Sequence, residues 1–405
     1  AVHTCLRMCE ELDGIEGLRL HVGIGMGKTL FMHVGGVLNR YEFVMAGEAL
    51  VKMSQAEDHA KAGDLCVSGE VWDHVKGLCY GHPSVKSMSE TSHEREGETT
   101  PVHLVVGTKV EPSLRPSKRR WETWEQERHY RLKEMYNPDL PLVLCDRLVH
   151  YIPGTVRDVL TKLHMDAFRT LSLSKATNTA VKYDKARLFQ FRQVSVLFVN
   201  LPGIDYSANS SEILKILQGA LTCMQACLFE LEGSLRQFIM DDKGTTLIGV
   251  FGLYPAHDND AYLAVKCALN IVRKLHAEMH IKAKVGVTTG TVFAAEVGND
   301  RRCEYAVIGD VVNMAARLMV ATSKVGAQIG EEVSVMCDEA TYLPIVSKFR
   351  FKRLKPIHVK GKVDEIRIFS PLIERSGHSK RSKKRLTPYF GRDLEQTILL
   401  DFLAP

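Results

Sequence analysis

The feature that most constrains this chain is that it repeats itself. Leu18–Phe43 reads LRLHVGIGMGKTLFMHVGGVLNRYEF and Ile281–Tyr305 reads IKAKVGVTTGTVFAAEVGNDRRCEY, at a spacing near 263 residues. Val22-Gly23, Gly27 and Val34-Gly35 fall on Val285-Gly286, Gly290 and Val297-Gly298. Both copies alternate apolar residues with period two around a glycine-bearing turn, which predicts a β-hairpin followed by strand, turn and helix. The chain therefore carries two copies of one α/β unit. Gly25–Thr29, G-M-G-K-T, invites a phosphate-loop reading, but that motif needs a glycine at position 22, which is Val22, and a helix after the lysine. The matching run in the second copy is an extended T-T-G-T-V-F, so a hairpin turn is the expectation.

The copies differ where chemistry would sit. In Glu304–Leu318, EYAVIGDVVNMAARL, Tyr305–Ile308 reads as a short buried strand, Gly309 as the turn and Asp310 as the N-cap of a helix. That helix puts Asn313 and Arg317 four residues apart on one face. On pattern alone such a pair more often faces solvent than substrate. With one residue deleted at the turn, Phe43–Gln55 lies over Tyr305–Arg317, and there Val51 replaces Asn313 and Gln55 replaces Arg317.

The string Y-x-V-I-G-x-x-V-N-x-A-A-R resembles the segment of class III nucleotidyl cyclases that supplies an active-site Asn and Arg, most nearly that of the soluble adenylyl cyclases. The resemblance implies an α/β fold of α+β, ferredoxin-like units, two of them paired as an intramolecular pseudo-dimer with one working and one degenerate site. It implies that ATP is cyclised to cyclic AMP and pyrophosphate, with Arg317 stabilising the transition-state phosphate and Asn313 orienting the ribose. It places purine recognition at Lys243, in D-D-K-G, and at Ala306 and Val307, and a triphosphate-binding lysine at Lys360 in H-V-K-G-K-V-D. Read without it, Lys243 and Lys360 are turn lysines, and both readings stand. The activator arginine of the soluble cyclases falls on Ser54, with Lys52 two residues earlier, so bicarbonate sensing does not carry over.

The resemblance also calls for Mg²⁺ or Mn²⁺ held by two aspartates of the first unit. At the repeat offset Ala1-Val2 falls on Ala264-Val265, so about 70 residues of the second copy, from Phe191, have no counterpart in the first. The aspartates are expected in that upstream segment. The second copy offers Asn200 in F-V-N-L-P-G and Thr245 near the second place, and neither is the anion that Mg²⁺ prefers, so no metal ligand is assigned.

The expected division is 1–110 for the incomplete first unit, 111–190 for a helical linker, 191–372 for the second unit, and 373–405 for a basic linker leading into a further NTPase-like domain. A net charge of +5 over 405 residues is too dilute to imply nucleic acid. Ten cysteines without a C-x-x-C, and no run of 18 apolar residues, suit reduced thiols in a cytoplasmic chain without a transmembrane segment. The alternative function is a non-catalytic pseudo-cyclase that binds nucleotide or a partner.

Overall fold

The computed structural model describes residues 1–17, 19–84, 101–109, 147, 149–152, 190–204, 210–241, 244–253, 255–299, 302–359 and 364–375. The expected helical linker, the basic linker and the entry to a further domain lie almost wholly outside them.

The first unit runs α1 (Val2–Leu12), β1 (Val22–Ile24), β2 (Leu30–Gly35), β3 (Tyr41–Ala46), α2 (Glu48–His59), β4 (Leu65–Ser68), α3 (Gly69–Val75), β5 (Cys79–Pro83) and β6 (Val102–Thr108). The second runs β7 (Gln190–Leu201), α4 (Ser210–Glu230), β8 (Ser234–Asp241), β9 (Gly244–Phe251), α5 (Asp260–Met279), β10 (Lys284–Asn299), β11 (Arg302–Ile308), α6 (Asp310–Ile329), β12 (Val335–Asp338), α7 (Glu339–Ile345), β13 (Phe349–Arg353) and β14 (Ile368–Glu374).

The second half of β7 is largely apolar because both of its faces are covered. Val194–Leu201 is buried without a break, and the pleat sends Leu197, Val199 and Leu201 into one core and Val194, Val196 and Phe198 into another. Around it β7-α4-β8-β9-α5-β10 makes the ferredoxin-like βαββαβ unit, with sheet order β10-β7-β9-β8 and antiparallel pairing throughout. The sheet then continues from β10 through β12, β14 and β13.

The first sheet, β1-β4-β6-β5, repeats that continuation strand for strand. β1 pairs with β4 in parallel as β10 does with β12, and the register shift at Tyr80/Gly81 recurs at Arg350/Phe351. Among the described residues nothing in the first unit corresponds to β7, α4, β8 or β9.

Two sequence expectations about the hairpin are corrected. β10 runs unbroken from Lys284 to Asn299, so Gly290 is not a turn, and the chain reverses between Asn299 and Arg302 instead. In the first unit the strand breaks after Ile24, but the reversal again comes later, at Gly36–Arg40. The glycines have another use. A Cβ on Gly286 would lie 2.0 Å from the Ala315 carbonyl oxygen, and one on Gly23 would lie 2.4 Å from that of Met53, so each lets a helix rest on its strand. No helix follows Lys28, and β2 does.

The two units meet through the β2–β3 hairpin, which lays Met32, Val34, Val44 and Ala46 into the core that holds α4. Two glutamines of α4 fix its turn. Gln218 donates to the Gly35 carbonyl at 2.7 Å and accepts from the Gly35 N–H at 3.0 Å. Gln225, fully buried, donates to the Arg40 carbonyl at 2.9 Å and accepts from the Val37 N–H at 3.3 Å. Beside them Arg40 pairs with Glu42, whose carboxyl burial pushes up to about 7 against the pull of Arg40 and Arg236. By length and composition α4 is one helix among the described residues able to cross a membrane, and half of it is buried in this core.

Candidate active site

The strand-turn-helix that carries the candidate residues is mounted on β10. β11 pairs with it antiparallel, placing Ala306 opposite Ala295 and Val307 opposite Ala294. Gly309 then leads into α6. Gly309, not Asp310, is the N-cap, and Asp310 stands in the first turn, where its charge suits the helix dipole. β11 is also longer and less buried than expected, since it starts at Arg302 and Ile308 is half exposed.

α6 buries Met314, Ala315, Leu318, Met319, Thr322 and Val325, spaced three or four apart, against the sheet. This stripe leaves Asn313 exposed and Arg317 partly exposed, one turn apart at its edge. Among the described residues neither forms a hydrogen bond or an ion pair, so an amide and a guanidinium with all their donors unspent share one helix edge. Thr288, buried on β10, donates its hydroxyl to the Val311 carbonyl at 2.7 Å and fixes the first turn of that helix. In the first unit the matching residue is Gly25, whose Cβ position is taken up by the backbone of Ala49 and Met53.

Four of the six expected site residues fall in this one strand-turn-helix: Ala306, Val307, Asn313 and Arg317. Lys243 and Lys360 lie outside the described residues. Near the seam Arg236 of β8 donates to Glu304 of β11 at 2.8 Å, and burial raises the Tyr305 hydroxyl above its ordinary range. Lys52 of α2 is held between Glu48 and Glu70.

A metal centre does not fit the described residues. Asn200 and Thr245 are buried, the Asn200 amide donates to the Thr245 carbonyl at 3.4 Å, and both are neutral. Among the described residues no group of three or more His, Cys, Asp or Glu could hold a metal ion. Sequence reasoning missed Gln218, Gln225 and Thr288. Only Thr288 left a signal, as a polar residue facing a glycine in the repeat.

Comparison with known proteins gives three findings. Residues 187–370 match the family described as the adenylate and guanylate cyclase catalytic domain. Adenylate cyclase type 10 of Homo sapiens is 26% identical over 421 residues, covering 97% of this chain and 23% of that protein. The rabbit protein of that name, from Oryctolagus cuniculus, is 26% identical over 89% of this chain and 20% of its own length. This chain thus spans less than a quarter of the length of these two relatives. Among solved structures, the adenylyl cyclase CyaB from P. aeruginosa aligns with a TM-score of 0.41 at 20% identity, over 46% of this chain and 97% of its own. The guanylate cyclase domain of RhGC from Catenaria anguillulae, in complex with GTP, aligns at 0.39 and 19%, over 46% and 100%.

Proposed function

We propose, from the premise that residues 187–370 are a catalytic domain of the adenylate and guanylate cyclase family, that this chain supplies the Asn and Arg half of a site converting ATP to cyclic AMP and pyrophosphate. The observation that carries the reading is the Asn313–Arg317 pair, unpartnered on the edge of α6. Cyclase domains bind ATP or GTP and pair as dimers, and the buried glutamine clamp between the two units supports an intramolecular pairing here.

In the reaction the ribose 3′-oxygen attacks the α-phosphorus and pyrophosphate leaves. Arg317 provides a fixed cation for the charge that grows on the phosphoryl oxygens, a role worth orders of magnitude because its geometry is set beforehand. Asn313 holds the ribose so that its hydroxyl lies in line. Ala306 and Val307 flank the purine, and Ala306 offers it only backbone groups. Lys243 reads the base and Lys360 binds the triphosphate. Adenine over guanine rests on Lys243. Cyclases of this class use Mg²⁺ or Mn²⁺, and the ion's ligands belong to residues beyond those described. A cytoplasmic location fits the free thiols of eight of the described cysteines.

One observation favours a second reading. Asn200 and Thr245 of the second unit are neutral and do not replace the aspartates expected of the first, which suits a nucleotide-binding pseudo-cyclase. The deciding experiment measures cyclic AMP and cyclic GMP from ATP and GTP, with Mg²⁺ or Mn²⁺, in this chain and in the complete protein that contains it. Cyclic AMP from the complete protein supports the first reading. Nucleotide binding without either product supports the second.

A further inference from the structure

We propose that the cleft between the start of β10 and the last turns of α6 binds a small oxyanion, a phosphate or a phosphomonoester, with the Lys284 ammonium as its counter-charge. The cleft has a volume of about 410 Å³, and Lys282, Lys284, Ser323, Glu331, Glu332 and Ser334 line it. That volume is within the range of small-ligand sites.

The cleft is lined by two lysines and two glutamates, and both glutamates are already paired. Glu332 is paired with Lys282 at 3.1 Å, and Glu331 with Lys352 at 2.7 Å. Lys284 has no such partner: among the described residues it makes no ion pair and donates no hydrogen bond. Burial lowers its pKa, and no carboxylate acts in the other direction. Lys284 is partly buried, and a bound anion would offset the loss of hydration of its ammonium.

The fold explains why the lysine is held there. Lys284, Gly286 and Thr288 alternate along one face of β10, the face covered by α6. Gly286 and Thr288 meet the helix directly, whereas Lys284 reaches its far end. The Ser323 and Ser334 hydroxyls are likewise without hydrogen-bond partners among the described residues, and they add donors to the same wall. Lysine recognises phosphate as a point charge, which needs no bidentate geometry. The cleft begins at Thr322, beyond the turns that bear Asn313 and Arg317, so it is separate from the candidate active site and does not depend on the cyclase reading.

The test is calorimetric titration of the chain near neutral pH, at fixed ionic strength, with inorganic phosphate and separately with glycerol 3-phosphate. Saturable one-site binding is expected, weakened about tenfold or more by Lys284→Met, the loss of one charge-assisted hydrogen bond. Ser323→Asp, which places a carboxylate in the cleft, is expected to weaken it as well, and Lys215→Met on the exposed face of α4 to leave it unchanged. Binding of only one probe identifies the occupant as free phosphate or as an ester. Absence of saturable binding overturns the proposal, as does binding that Lys284→Met and Ser323→Asp leave intact or that Lys215→Met weakens equally.

Discussion

Replacing Gly286 by alanine tests how the candidate residues are held. The new methyl would lie 2.0 Å from the Ala315 carbonyl oxygen and 2.7 Å from the Met319 nitrogen, both backbone atoms, which cannot rotate away. Real contacts of this kind essentially never fall below 3.0 Å, so α6 must withdraw by about 1 Å. Overpacking on that scale costs about 1–3 kcal/mol of stability. Ala315 lies midway between Asn313 and Arg317, so both move with it, and a displacement of about 1 Å can cost about 10²-fold in rate. Gly23→Ala is the internal control. Its methyl meets Met53 oxygen at 2.4 Å and Glu57 nitrogen at 2.5 Å, a comparable strain, but α2 bears Val51 and Gln55 in place of the pair. Urea unfolding of both variants is expected to show similar losses. Cyclic AMP turnover of the complete protein, corrected for the folded fraction, is expected to collapse for Gly286→Ala and to fall far less for Gly23→Ala. Equal kinetic losses, or a Gly286→Ala variant with unchanged stability and turnover, would refute the reasoning.

Gln225→Leu leaves the Val37 N–H without its acceptor and takes one of two donors from the Arg40 carbonyl, which keeps the Gly36 N–H at 2.7 Å, and should lower unfolding free energy by about 1–3 kcal/mol in urea titrations. His257 supplies a pH dependence. Burial alone would make its imidazole less basic, but Glu232 at 2.6 Å and Asp260 at 3.2 Å outweigh that and raise its pKa above about 6.5. The folded state then holds the proton more tightly, so this contribution is complete below pH of about 6.5 and is lost as pH rises through the raised value. Stability of His257→Gln, followed by thermal unfolding across that range, should lack this decline. Bicarbonate is expected to leave turnover of the complete protein unchanged, because Lys52 is held by Glu48 and Glu70 and Ser54 carries no charge.

Much of the fold was legible because the repeat reports on the same physical constraint twice. Gly23 and Gly286 recur since each takes a helix backbone at closest approach, and the substitution of Asn313 and Arg317 by Val51 and Gln55 marks the two units as unlike. The same glycines misled about the turn. Gly290 was expected to reverse the chain, yet β10 runs through it, because pairing with β7 along Lys284–Ala294 keeps that strand extended. The N-cap was misplaced by one residue because Asp310 has the preferred chemistry while Gly309 has the position. Gln218 and Gln225 were invisible for a different reason: their partners lie some 180 residues away, and no local pattern announces them.

The central claim is that Arg317 acts on the phosphate being transferred. The most direct measurement is cyclic AMP formation from ATP by the complete protein and by its Arg317→Ala variant, at saturating nucleotide and metal. A fall in kcat of about 10²–10³-fold, with KM for ATP little changed, is the predicted result for a group that acts only in the transition state. Unchanged kcat, or a loss confined to KM, would contradict it.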